Sequence, residues 1–165
     1  MNREQTAAFE RIVGAHGGAL GRVVECYART IADREDLAQE IGIAVWRALP
    51  RFRGECAERT FVMRIAHNRG LHFAFQRRRF ATAPESETVD CRPSPEEELD
   101  SRQRHELLFL ALRALPVGYR QVLSLALEEL DHREIAEIVG ISVGNVAVRL
   151  NRARAALRLK LEGMR

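Results

Sequence analysis

Aromatic residues make up only 6% of the 165-residue chain, with a single tryptophan and two tyrosines. No apolar run approaches the roughly 20 residues a membrane span needs. The start, Met1 to Gln5, carries no basic segment leading into an apolar stretch, as a secretory leader would. Together these absences predict a cytoplasmic protein. The three cysteines, Cys26, Cys56 and Cys91, stand far apart, with no Cys-x-x-Cys pair and no Cys/His spacing suited to a tetrahedral metal site. They read as reduced thiols, and a redox role for Cys91, which lies in a polar stretch, is the alternative. Five histidines, His16, His67, His72, His105 and His132, occur without metal-ligand, nucleophile-elbow or phosphate-loop spacing. His67 and His72 lie five apart, off a shared helical face. No catalytic residue, metal or cofactor is therefore expected, and an enzyme is the weakest of the functional readings.

What is present is a composition dominated by Ala, Leu, Arg and Glu, with 46% hydrophobic residues. This suits an all-α protein able to bury real cores. The net charge of +3 is small but uneven along the chain. Residues 1–80 hold 14 Arg against 9 acids, 81–100 hold Arg92 against 7 acids, and 101–165 hold 11 basic residues against 7 acids. Two basic blocks thus flank an acidic spacer, which carries three prolines between Ala81 and Glu96, few large apolar residues and no periodicity. Such a segment cannot bury enough surface to fold alone. The expected organisation is two small helical domains, 1–80 and 101–165, joined by a flexible acidic linker over 81–100.

In the first block, helical stretches are expected at 5–13 and 19–31, broken by Gly14 and the Gly17–Gly18 pair. A clearer helix follows Asp33, a natural N-cap with Glu35 and Asp36 in the first turn, and runs to Leu49 before Pro50. Leu37, Ile41, Ala44, Val45, Ala48 and Leu49 recur on its inner face, which leaves Asp36, Gln39, Glu40 and Arg47 on other faces. A further helix, about 57–79, ends in Phe73-Ala-Phe75-Gln-Arg77-Arg78-Arg79-Phe80. Interleaved rings and guanidiniums suit single-stranded nucleic acid, since rings stack on bases and arginines hold phosphates. Core phenylalanines beside a solvated, dipole-favoured helix end fit the same residues equally well.

The last block is more specific. After Leu115-Pro116 and a helix at 117–128 comes a segment with helix-turn-helix grammar. It offers a small residue for close helix crossing (Ala136), a glycine for a tight turn with positive φ (Gly140), and an apolar residue to tuck beneath it (Ile141). Ser142 can cap the next helix, where Val146, Leu150, Ala153 and Leu157 form an inner stripe. Asn145, Arg149 and Arg152 form an adjacent polar stripe suited to base edges, and Arg154 and Arg158 suit phosphates. The plain alternative is a helical hairpin with a charged outer face.

The series Asp33-Arg-Glu-Asp36-Leu37-Ala-Gln39-Glu40, then Trp46 and Phe52-Arg-Gly, resembles region two of extracytoplasmic-function sigma factors in the sigma-70 family. So does Phe61-Val-Met-Arg-Ile65-Ala66-His-Asn68 leading into Arg77-Arg78-Arg79. Leu115-Pro116 with Arg120, Glu134-Ile135-Ala136, and Gly144-Asn-Val146 through Arg149-Leu150 to Arg152-Ala-Arg154 is similar to region four of the same family. The resemblance implies an alternative sigma factor that binds core RNA polymerase and chooses promoters. Asp36, Gln39, Glu40 and Trp46 would dock on the clamp helices of the polymerase's largest subunit. Asn68, Phe73, Arg77, Arg78 and Arg79 would capture the separated non-template strand of the −10 element. Ser142, Asn145, Arg149, Asn151, Arg152 and Arg154 would read the −35 element. The acidic linker would thread toward the active-site cleft, and an anti-sigma factor is the expected regulator.

Some residues depart from the family pattern. Phe61-Val62 stands where Trp-Leu is common, and His72 where an acid is usual. Ala147 and Val148 replace a basic residue and a serine of the recognition helix, which removes an expected direct DNA contact. The rival function is a helix-turn-helix regulator that is not a polymerase subunit. The Asp36 to Phe52 segment discriminates, because such a regulator has no need of it.

Overall fold

Four glycines do not interrupt the first helix. In the computed structural model, which describes residues 3–80 and 96–164 and the side chains of all of these except 80 and 96–99, α1 runs unbroken from Arg3 to Tyr27. It passes through Gly14, Gly17, Gly18 and Gly21, so the two expected stretches are one. A helical glycine costs about 1 kcal/mol relative to alanine, which the burial of Ile12, Ala19, Val23, Val24 and Tyr27 outweighs.

The second helix, α2, spans Ile31–Ala48, and its N-cap is Thr30 rather than Asp33. The Thr30 hydroxyl accepts the Asp33 N–H at 3.1 Å. Asp33 itself lies in the first turn, is buried, and pairs with Arg77 of the next helix. Pro50 enters a 3-10 turn, Leu49–Arg51, after which α3 spans Glu58–Phe80. The three helices pack on one another. Their shared core is Ile12, Val23 and Tyr27 from α1, Leu37, Ile41 and Val45 from α2, and Val62, Met63, Ala66 and Phe73 from α3.

Chain contacts divide the molecule into two compact units, residues 1–83 and 84–165. In the second, α4 spans Glu96–Arg113, α5 Val117–Leu127, α6 His132–Val139 and α7 Val143–Gly163. The last five residues assigned to the linker are thus already helical, with Glu96, Glu97 and Glu98 at the N-terminal end that favours negative charge. The rest of that expected linker, 81–95 with Cys91, lies outside the described residues. α7 packs on α4, α5 and α6, through the stripe Val146, Leu150 and Ala153.

Arg120 holds the α4–α5 corner. It is only 9% exposed and donates from Nη2 to the carbonyls of Arg113 at 2.6 Å and Leu115 at 3.1 Å. These are carbonyls a helix end leaves without intrahelical partners. Arg120→Ala should cost the second unit about 2–3 kcal/mol, the cost of stranding buried acceptors that hold charge-assisted bonds. Faster hydrogen exchange in α4 and α5, with α1 to α3 unchanged, is the expected reading.

Candidate nucleic-acid interface

The turn between α6 and α7 is locked at both ends. Asp131 caps α6, accepting the N–H groups of Arg133 at 2.8 Å and Glu134 at 2.9 Å, while Glu134 accepts the Asp131 N–H at 2.8 Å. This reciprocal capping box follows from an Asp-x-x-Glu spacing that is legible in the sequence. Gly140 closes α6 at φ 75°, the left-handed conformation expected of it, and the N–H groups of Gly140 and Ile141 both reach the Ala136 carbonyl. Ser142 then caps α7 by accepting the Asn145 N–H at 3.2 Å. Its oxygen is therefore engaged in starting the helix.

With its inner stripe buried, α7 turns Asn145, Asn151, Arg152 and Arg154 to solvent. Arg149 is half-buried, and its Nη1 lies 3.6 Å from where a Cβ on Gly118 would sit, so the guanidinium leans across the start of α5. From Val143 to Leu161 the helix contains no acidic residue.

The arginine-rich end of α3 differs from expectation in two places. Phe73 is 7% exposed and belongs to the core, so it is no platform for a base: apolar burial there is worth more than exposure. Arg77 is paired with the buried carboxylate of Asp33 and lies over the Phe73 ring, 5.5 Å from its centroid. It fastens α3 to α2. The exposed ring is Phe75, at 53%. At about 100° per residue, Asn68, His72, Phe75 and Arg79 fall on one face opposite Phe73, and all four are exposed. Arg78 is exposed beside them. After Glu58, α3 carries no acid.

On α2, Asp36 and Gln39 are exposed and Glu40 half-buried. Ile43 sits among them at 44% exposure, an outward apolar residue that the inner-face pattern did not pick out. Trp46 is half-buried, edge-on to Phe9 at 5.5 Å, and its carbonyl accepts from Gln5 Nε2 at 2.8 Å. It joins α2 to α1. Cys26 and Cys56 form no disulfide. Among the described residues no group of His, Cys, Asp and Glu could hold a metal ion, and no helix is long and apolar enough to cross a membrane.

Two family models match in series: sigma-70 region 2 over residues 12–80 and sigma-70 region 4 over residues 105–157. The chain belongs to the sigma-70 family. It is an extracytoplasmic-function (ECF) sigma factor, an alternative sigma factor that works with core RNA polymerase on promoter DNA to direct transcription initiation. Like others of its family, this sigma factor is a regulatory polymerase subunit. It is 28% identical to the ECF RNA polymerase sigma-E factor of Escherichia coli K12 and 29% to the sigma factor CnrH of Cupriavidus metallidurans; each match covers 94% of this chain and 87% of the relative. The solved structure of CnrH with the cytosolic domain of CnrY superposes with a TM-score of 0.70 at 26% identity, covering 96% of this chain and 90% of that one. The sigma factor RpoE of Bartonella quintana, solved with the anti-sigma factor NepR, shares the fold with a TM-score of 0.75 at 20% identity, covering 96% and 99%. A helix-turn-helix regulator acting apart from polymerase is not favoured, since the region 2 match accounts for the N-terminal block.

Proposed function

We infer that the two units of this sigma factor divide the work of promoter recognition: residues 1–80 dock on core polymerase and capture the −10 element, and residues 101–165 read the −35 element, with 81–100 between them. The observation that carries the first assignment is the exposed face of Asn68, His72, Phe75 and Arg79 on an α3 that is free of acids beyond Glu58. An amide, an imidazole, a ring and a guanidinium in line can hydrogen-bond base edges, stack on one base and hold phosphate. Stacking on an aromatic ring is worth about 1–3 kcal/mol per base, enough to offset much of the few kcal/mol that unstacking costs. Arg78 adds charge along the strand, and Arg77 acts by holding α3 against Asp33.

Docking falls to the α2 face of Asp36, Gln39 and Glu40, with Ile43 as the apolar anchor at its centre. Such an anchor ringed by polar groups is how interface energy is commonly concentrated. Trp46 supports this face from the α1 side. Reading of the −35 element falls to Asn145, Arg149, Asn151, Arg152 and Arg154, with Ser142 starting the helix. The sigma factor acts in the cytoplasm, where its polymerase is, and supplies no chemistry of its own. Its regulator is an anti-sigma factor that covers these faces, as partner proteins accompany the two sigma factors of similar fold.

Run-off transcription with purified core polymerase, with and without this chain, on fragments of its own genome tests the assignment. Discrete new transcripts are expected. Phe75→Ala should lower promoter opening about tenfold, the loss of one stacked base, while core binding is retained. Wild-type opening by Phe75→Ala would remove the −10 role of this face.

A further inference from the structure

Val148 occupies the middle of the outward face of α7. It lies about 200° around the helix from Val146, opposite the stripe that fixes α7 to the rest of the unit, and is 48% exposed. Gly144, one turn earlier on that face, has nothing within 4 Å of where a Cβ would sit. No internal contact calls for a glycine there, although glycine weakens a helix. Its effect is outward, removing bulk where another molecule would approach. Asn145, Asn151 and Arg152 border the valine, all exposed. The face is thus a two-methyl knob in a shallow gap, edged by groups that hydrogen-bond.

In helix-turn-helix proteins the first turns of the second helix meet base edges in the major groove. The apolar group displayed there is the C5 methyl of thymine. A valine pressed on any other base edge would desolvate an amine or carbonyl without replacing its hydrogen bonds, which is unfavourable. We propose that Val148 is a specificity-determining residue of this sigma factor, selecting thymine at one position of the −35 element through the C5 methyl. The proposal rests on the sigma-factor reading and deepens its −35 site.

The test uses the holoenzyme, core polymerase with the full chain, on a promoter recovered by run-off transcription. Each −35 thymine is replaced in turn by deoxyuridine, which lacks only the methyl group. At one position the wild-type holoenzyme should bind roughly fourfold more weakly, the effect of one buried methyl. Val148→Ala should bind the thymine promoter more weakly by a similar factor and be indifferent to deoxyuridine at that position. Transcription that proceeds normally while the deoxyuridine scan is flat overturns the role of Val148 alone. So does a Val148→Ala holoenzyme that keeps the sensitivity, or a −35 element without thymine. Absence of transcription from every fragment removes the sigma reading and this inference with it.

Discussion

Gly70→Ala is expected to destabilise the N-terminal unit by about 3 kcal/mol, lowering its melting temperature by more than about 10 °C. Gly70 is buried on α3, where a Cβ would press against Cδ2 of Tyr27 and stand 2.6 Å from its Cε2 and 2.7 Å from its Cγ. Tyr27 cannot yield cheaply. It is 4% exposed, and its hydroxyl is held by Nδ1 of the buried His67 at 2.9 Å. Moving the ring breaks that bond, and moving the helix opens the α1–α3 contact. Overpacking of this kind usually costs about 1–3 kcal/mol, the stranded hydrogen bond adds about 1, and better helix propensity returns about 1. So close a contact places the result at the upper end. The same substitution at Gly21, which is exposed and has nothing within 4 Å, should stabilise by about 0.5–1 kcal/mol. Thermal melts of the two variants, measured together, check the sign as well as the size. A Gly70→Ala melt equal to wild type would mean that the crossing is looser than this packing.

The N-terminal unit should also lose about 2 kcal/mol of stability between pH 7 and pH 5 through His67 alone. Burial drives the imidazole pKa down from 6.5 to about 3. Nδ1 has Tyr27, but Nε2 is buried without a hydrogen-bond partner, so a charged ring would bury one N–H with no acceptor. The unfolded chain takes up a proton near pH 6.5 and the folded chain does not. Stability is therefore complete above 6.5 and declines as pH falls toward 3, by up to about 1.4 kcal/mol per pH unit. A second loss begins as pH falls into the ordinary carboxylate range and continues below it. Glu58 is held below its usual pKa, first by the hydrogen bond from Arg11, with His16 also at 3.1 Å. Urea denaturation at pH 7, 6 and 5 should show the decline in the wild type and a flatter dependence in His67→Leu, whatever that variant's absolute stability. Parallel curves for the two proteins would exclude His67 as the cause.

The parts of the molecule that were legible in the sequence are those governed by contacts near in the chain. Val146, Leu150 and Ala153 recur at helical spacing and are buried as read. Gly140 adopts its positive φ because a tight turn between two helices leaves few alternatives. The ends of α3 and α5 follow from prolines and local periodicity to within a residue or two. Where the reading missed, a distant residue intervened. Asp33 looked like a cap, but Arg77, forty-four positions later, takes its carboxylate and leaves the capping to Thr30. Glycines looked like helix breaks in α1, and packing against α2 and α3 overrode them.

The sequence by itself determined the helical class, the placing of two basic blocks on either side of an acidic spacer, the helix-turn-helix and the family. Each rests on periodicity, composition or motif order, which are properties of the chain read in one dimension. Only the tertiary structure decided which residues of α3 and α7 are presented outward. Phe73 and Phe75 are two positions apart and chemically identical. The face that meets α1 and α2 buries one and exposes the other, because a helix turns about 200° between them. The contacts among Gly70, Tyr27 and His67 likewise exist only once α1 and α3 cross, since backbone approach, hydrogen bond and loss of hydration all require residues some forty positions apart to share one place in the core.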